Sequence, residues 1–291
     1  MTEIQNARAA YSPIINRKPL MLPGGARLGV WVIVTVEKWD MDATMARTVL
    51  PAPQGVSVIP DIPNDSWFDY GLRVGFWRLK KVLDQHQVRA TLSINAPVCD
   101  TYPIIVEESL RNGWEILAHG YEQRAINLEK DERAVIRKTV KTIREFTGKA
   151  PRGWMGPGLH ETYDTPDILA AEGFEYVADW VNDDQPYPIK VKSGRLIAVP
   201  YTVEVNDIVI YTVQHHSSPE IYHRACDAFD TLYEEAADSA RFMAISMHPY
   251  VMGAAHRVKY LDKFIRYIKE HGGVMFMTGE EILDWYNNVT V

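Results

Sequence analysis

The chain has 291 residues, 46% hydrophobic and 24% charged, enough for a large core in one domain. A net charge of −7 excludes the basic face that a nucleic-acid or anionic-membrane partner needs. No apolar run reaches the roughly 18 residues that cross a bilayer. The polar start lacks a signal-peptide core, and the two cysteines, Cys99 and Cys226, lie far apart without metal-finger spacing. A reduced, cytoplasmic setting is therefore expected, with no membrane partner.

Residues 1–26 read as an irregular N-terminal arm, broken by Pro13, Pro19, Pro23 and Gly24-Gly25. The domain proper is expected over 27–291. It opens with an apolar strand through Val30-Trp31-Val32-Ile33-Val34-Thr35-Val36, of the kind buried on both faces. That strand ends in Glu37-Lys38-Trp39-Asp40. The segment 38–70, rich in proline, aspartate and tryptophan, reads as a lid or an oligomer contact. Leu72, Phe76, Leu79 and Leu83 then repeat at helical spacing, and a strand follows over 89–95. Residues 103–112 read as a helix, followed by a strand that ends at His119. The charges of 128–146 alternate in sign along a solvated helix. Thr165-Pro166 opens another helix, and Phe242–Met247 is a strand that ends in His248-Pro249. Leu261, Phe264, Ile265 and Ile268 form a helical stripe, and Thr278-Gly279-Glu280-Glu281 is a capping box for a final helix. About seven βα units predict a barrel or a doubly wound parallel sheet.

Several chemistries find no motif. The chain has no phosphate loop, dinucleotide fingerprint, nucleophile elbow or H-E-x-x-H zinc helix. What remains is a set of strand ends carrying ionisable groups, where α/β barrels keep their chemistry. The clusters are Glu37-Lys38-Trp39-Asp40, the stretch from His119 to Gln123, Arg152-Gly153-Trp154 running on to Gly158, Asp179-Trp180, and His248-Pro249-Tyr250.

In this order the clusters resemble the polysaccharide deacetylase (NodB-homology) superfamily over roughly residues 28–280. The resemblance implies an α/β fold, a distorted (β/α)7 barrel in a single domain, with its site at the strand carboxyl ends. In metal-using members two aspartates end the first strand, one as base and one as metal ligand, and two histidines complete the ligand set. Here the base position carries Glu37 and the metal-aspartate position carries Lys38. The histidine positions carry His119 and Gln123. Zinc needs about three good protein ligands, so no metal and no cofactor are expected. This pattern is similar to the metal-independent allantoinase clade, cytosolic enzymes that open a cyclic ureide by hydrolysing a ring amide.

Metal-free amide hydrolysis requires a base for water, a positive or donor group at the oxyanion, and a proton for the leaving nitrogen. The catalytic candidates are Glu37 as base, His119, and His248 as acid. Lys38 or His119 is the candidate for the oxyanion. Lys38, Trp39, Arg152, Trp154, Asp179 and Trp180 are the substrate-binding candidates, with Asp179 holding Arg152 and Trp180 as a pocket wall; an Arg152–Asp179 pair that is purely structural is an equal reading. The expected partner is a small cyclic amide or ureide, and a homo-oligomer, dimer or tetramer, is expected. Two alternatives stand beside this one. One is a metal-dependent deacetylase using His119 with Glu122, Asp40 or His248; the other is an inactive barrel with a binding role.

Overall fold

The computed structural model of the chain describes residues 8–290. Among these, nine strands build one sheet: β1 (Leu28–Val36), β2 (Thr91–Ile94), β3 (Glu115–Ala118), β4 (Gly153–Trp154), β5 (Tyr176–Val177), β6 (Tyr187–Ile189), β7 (Leu196–Ala198), β8 (Arg241–Met247) and β9 (Val274–Phe276). The order is β6-β7-β5-β4-β3-β2-β1-β8, with β9 also paired to β1. Every pairing is parallel except β6–β7. Parallel neighbours need crossovers, and helices such as Pro103–Arg111, Glu132–Thr147 and Thr165–Ala171 supply them. The sheet curls into a distorted α/β barrel in a single domain, as the family resemblance implies and as one of the two folds that the strand pattern allows.

Period-2 alternation divides the strand residues between two cores. On β1, Val30, Val32, Val34 and Val36 join the outer core beneath the helices. Trp31 and Ile33 join the inner core with Leu117, Met155, Tyr176, Ala178, Phe242 and Ala244. This continuous burial explains why β1 reads as an unbroken apolar run.

The ends of the sheet do not pair along their length. They meet through the bridge Asn206–Ser246 and through the Phe242 amide, which donates to the Asp184 carbonyl at 2.9 Å. The N-terminal arm crosses the same seam. Lys190 N donates to the Arg8 carbonyl (2.8 Å), and Arg17 forks onto Asp183. Further along, Ala240 N donates to the Leu20 carbonyl (2.7 Å), and Trp285 Nε1 donates to the Met21 carbonyl (3.0 Å). The part of the arm before residue 8 lies outside the described residues.

At the amino ends of the strands, buried Glu115 ties the barrel to the last helix. Its carboxyl accepts from Thr91 Oγ1 (2.6 Å), Tyr176 OH (2.5 Å), Gly279 N (2.8 Å) and Glu280 N (3.1 Å). The helix Gly279–Thr290 starts at this carboxylate, where its unpaired amides favour negative charge. The capping box forms as predicted, with Thr278 N donating to Glu281 Oε2 at 2.9 Å.

At the carboxyl ends, Ile62–Tyr70 and Phe76–Gln85 run together through a widened π-turn at Gly71–Gly75. The glycines there are dictated by contact. A Cβ on Gly71 would lie 2.5 Å from Tyr250 N, and one on Gly75 would lie 2.1 Å from the Pro249 carbonyl oxygen. The loop after β8 therefore beds directly on helix backbone, and π-bulges of this kind recur at functional sites. Among the described residues, no helix is long and apolar enough to cross a membrane.

Candidate active site

Strand register brings the site together. Val36, Ile94, Ala118 and Trp154 form one row across β1–β4. The next residues are Glu37, Asn95, His119 and Met155. By alternation Glu37 shares the inward face of Trp31 and Ile33, and His119 that of Leu117; His248 shares that of Phe242 and Ala244. Glu37, His119 and His248 are each about nineteen-twentieths buried, at 5%, 4% and 5% exposure. Below them the hydroxyls of Thr35 and Ser93 are buried without a hydrogen-bond partner among the described residues.

Donors surround Glu37. Gln123 Nε2 donates to Oε1 at 2.7 Å, while Trp39 Nε1 (3.1 Å), Tyr250 OH (3.2 Å) and Arg47 Nη1 (3.4 Å) approach Oε2. His248 Nε2 lies 3.6 Å from Oε1. Burial alone would raise the acid, but the His248 imidazolium and the Arg47 guanidinium hold it down at about 2. His248 donates from Nδ1 to Asp207 Oδ1 at 2.7 Å, and its backbone amide donates to Oδ2 at 2.7 Å. Burial would lower this imidazole, yet the carboxylates of Asp207 and Glu37 lift it to about 9. His119 is the opposite case: burial pushes it down to about 4, against the pull of Glu37 and the Met155 carbonyl. Its Nδ1 donates to that carbonyl at 2.6 Å, which fixes the tautomer and leaves the Nε2 lone pair unspent. The site thus sets one imidazole lowered by burial beside one raised by two carboxylates.

Asn95 holds the ring of strand ends in place. Its Oδ1 accepts from Lys38 N (2.9 Å), and its Nδ2 donates to the His119 carbonyl (2.5 Å) and to Gln123 Oε1 (3.0 Å). Gln123 therefore has both ends of its amide engaged. The aromatic roof comes from 38–70, as Trp39 packs on Phe68 and Phe68 on Tyr250, with ring centroids 4.8 and 4.3 Å apart.

Not every candidate from the sequence reaches this cavity. Lys38 does not, because alternation turns it outward: its side chain is exposed and its amide alone meets Asn95. The cation beside Glu37 is instead Arg47, on the lid. Arg152 precedes β4, at the opposite end of the barrel, where it pairs with Glu175 (2.6 Å) and Asp284 (2.7 Å). The expected Arg152–Asp179 contact is absent among the described residues. Trp154 is fully buried in the outer core against Phe174, facing the helices. Asp179 accepts from Gly156 N at 2.7 Å and faces Glu161. Burial raises both acids, and Trp180 Nε1 lies 3.2 Å from each Glu161 oxygen. Trp180 lines an open cavity of about 1140 Å³ with Glu161 and Tyr163. Sequence reading missed Arg47, Asn95 and Asp207. None of the three lies in a motif or a periodic pattern that singles it out.

The residues present do not fit the family's metal. Lys38 points away and Gln123 is spent on Asn95 and Glu37, so two of the family's three ligand positions supply no ligand. Asp40 and Glu122, the rearranged alternatives, are exposed. Among the described residues, no group of three His, Cys, Asp or Glu is placed to hold an ion.

A family model described as polysaccharide deacetylase matches residues 66–177. A Schizosaccharomyces pombe protein named as a polysaccharide deacetylase is 32% identical over 241 residues, 75% of this chain and 74% of the relative. The chain belongs to the polysaccharide deacetylase family. A Helicobacter pylori peptidoglycan deacetylase is 26% identical over 72% of this chain and 83% of its own. Among solved structures, a polysaccharide deacetylase from Pseudomonas aeruginosa PAO1 superposes with a TM-score of 0.84 at 25% identity, over 94% of this chain and 96% of that one. An allantoinase shares the fold, with a TM-score of 0.83 at 23% identity, over 95% and 96%. As a deacetylase-family protein the chain is a hydrolase of amide-type C–N bonds.

Proposed function

We propose that this protein hydrolyses a ring C–N bond of a small cyclic amide, of ureide, hydantoin or imide type, without a metal ion. The observation that carries this reading is the enclosure of Glu37, His119 and His248 beneath the aromatic lid. Groups this buried beneath aromatic side chains favour a small planar ring over a polymer chain. The unassembled ligand set and the allantoinase's shared fold support the same choice. In this reading His119 Nε2 takes a proton from water. Glu37, crowded by donors, keeps His248 charged and aimed, and His248 Nε2 delivers a proton to the leaving nitrogen. Cyclic ureides are more electrophilic than peptides, which lowers what the site must supply.

The relatives' names favour a second reading, deacetylation of an N-acetylated sugar. One experiment separates the two. Exhaustively chelated protein is assayed against hydantoins, ureides and cyclic imides, and against N-acetylglucosamine oligomers. Full ring-opening activity after chelation is the expected result. Turnover of the sugars alone, restored only by added metal, would overturn the proposal. Val49, Leu50, Val56, Val58, Ile59 and Ile62 leave apolar side chains exposed on the 38–70 segment, which supports a homo-oligomer, to be tested by light scattering.

A further inference from the structure

We propose that Arg47, delivered by the lid, binds the scissile carbonyl oxygen and stabilises the oxyanion formed on it. The inference rests on the amide-hydrolysis reading above but not on which amide is the substrate. Three cations are candidates for the role. Lys38 is turned outward, and His248 has Nδ1 on Asp207 and its Nε2 proton assigned to the leaving nitrogen. Arg47 remains, with a side chain only 25% exposed. Its Nη1 donates to Tyr250 OH at 3.0 Å and approaches Glu37 Oε2 at 3.4 Å. Its Nη2 and Nε have no hydrogen-bond partner among the described residues. A largely buried guanidinium with unspent donors leaves half of its planar fork for an oxygen of the substrate.

The lid is built to hold that fork still. Two residues before Arg47, Met45 is buried in the outer core at 6% exposure. Beyond it, Asn64 Oδ1 accepts from Val49 N (2.7 Å) and Leu50 N (3.1 Å), while Asn64 Nδ2 donates to the Leu50 carbonyl (2.9 Å) and Asp61 Oδ2 (2.8 Å). Asn64 is itself 1% exposed, a buried amide spent on fixing one turn of the lid. Trp39 lies under the guanidinium, 5.7 Å from Cζ to ring centroid. Arg47 is thus anchored on both sides and oriented from below, as a preorganised electrostatic group must be.

The step balances within the residues on hand. The oxygen of water adds to the carbonyl carbon, the C=O π pair moves to oxygen, and Arg47 holds the resulting oxyanion. The proton lost by water goes to His119 Nε2. The tetrahedral centre collapses, the C–N electron pair leaves on nitrogen, and that nitrogen takes the proton of His248 Nε2. The products are a carboxylic acid and an N–H group, with the proton on His119 returned through solvent.

The test compares Arg47→Ala and Arg47→Lys with wild type on whichever amide the wild type turns over, ring or N-acetyl sugar. Loss of kcat by about 10²–10³-fold is expected, with KM changed far less. Millimolar guanidinium should restore roughly tenfold to Arg47→Ala and nothing to wild type. A variant with kcat near that of wild type, or a deficit confined to KM and indifferent to guanidinium, would overturn the assignment. A readout independent of turnover uses acetate, the simplest carboxylate product, titrated while the arginine Nε–H resonances are followed by NMR. The Arg47 signal, identified by its absence in Arg47→Lys, should shift with acetate; a signal that does not move also overturns it. Sugar turnover in place of ring opening would sink the ring substrate and leave the Arg47 test standing.

Discussion

Replacing Asp207 by asparagine probes the acid end of the site. Asp207 is fully buried, and both of its oxygens lie 2.7 Å from donors of His248. An opposite charge at this range shifts a neighbour by about 1–3 pKa units. The Asp207→Asn substitution should therefore lower His248 from about 9 by that amount, a change of roughly 1.4–4 kcal/mol. The assay is the pH profile of kcat/KM, whose alkaline limb reports the proton donor of the free enzyme. Wild type should lose activity as pH rises through about 9, and the variant should lose it correspondingly earlier. Linkage gives an independent check. A histidine raised in the folded state contributes stability that is complete below its unfolded value and vanishes as pH rises through the folded one. The Tm gap between wild type and variant should thus be wide near pH ~6 and narrow near pH ~10. An alkaline limb that stays in place, or a Tm gap that is the same at both ends, would refute the role given to Asp207.

Three further outcomes follow from the geometry. Arg152→Ala should leave kcat/KM within about twofold of wild type, because its exposed ion pairs sit at the far end of the barrel; a hundredfold loss would return Arg152 to the site. Gly75→Ala should cost at least about 1–3 kcal/mol by overpacking against the Pro249 carbonyl, and should lower kcat by displacing His248, measured by urea unfolding beside kinetics. Glu115→Gln should destabilise by about 2–3 kcal/mol, since an amide nitrogen would meet helix N–H donors, while kcat stays unchanged in protein that remains folded.

The residues legible in the sequence share one physical property. Glu37, His119 and His248 each end an apolar run, and parallel register aligns such ends without further information. Lys38 departs from its expected place because the alternation of β1 continues past the strand, so the residue after Glu37 must face outward. Arg152 departs from its own by direction: a residue before a strand lies at the opposite end of the barrel from one after it. Arg47 and Asn64 leave no periodic trace, because an irregular lid is specified by individual contacts and not by repeat. Asp207 acts across 41 residues on His248, a pairing that only the folded chain reveals.

The seam crossed by the N-terminal arm has a consequence for how the protein is made. Trp285 meets Met21 over a sequence separation of 264 residues, and Arg17 meets Asp183 over 166. The arm finds these partners 166 and 264 positions later in the chain, so it docks only after they have been made. Contacts this distant in sequence slow folding. Until β8 is made, the edge of β1 that pairs with it stands open, and a nascent chain halted before residue 240 would present that edge to solvent.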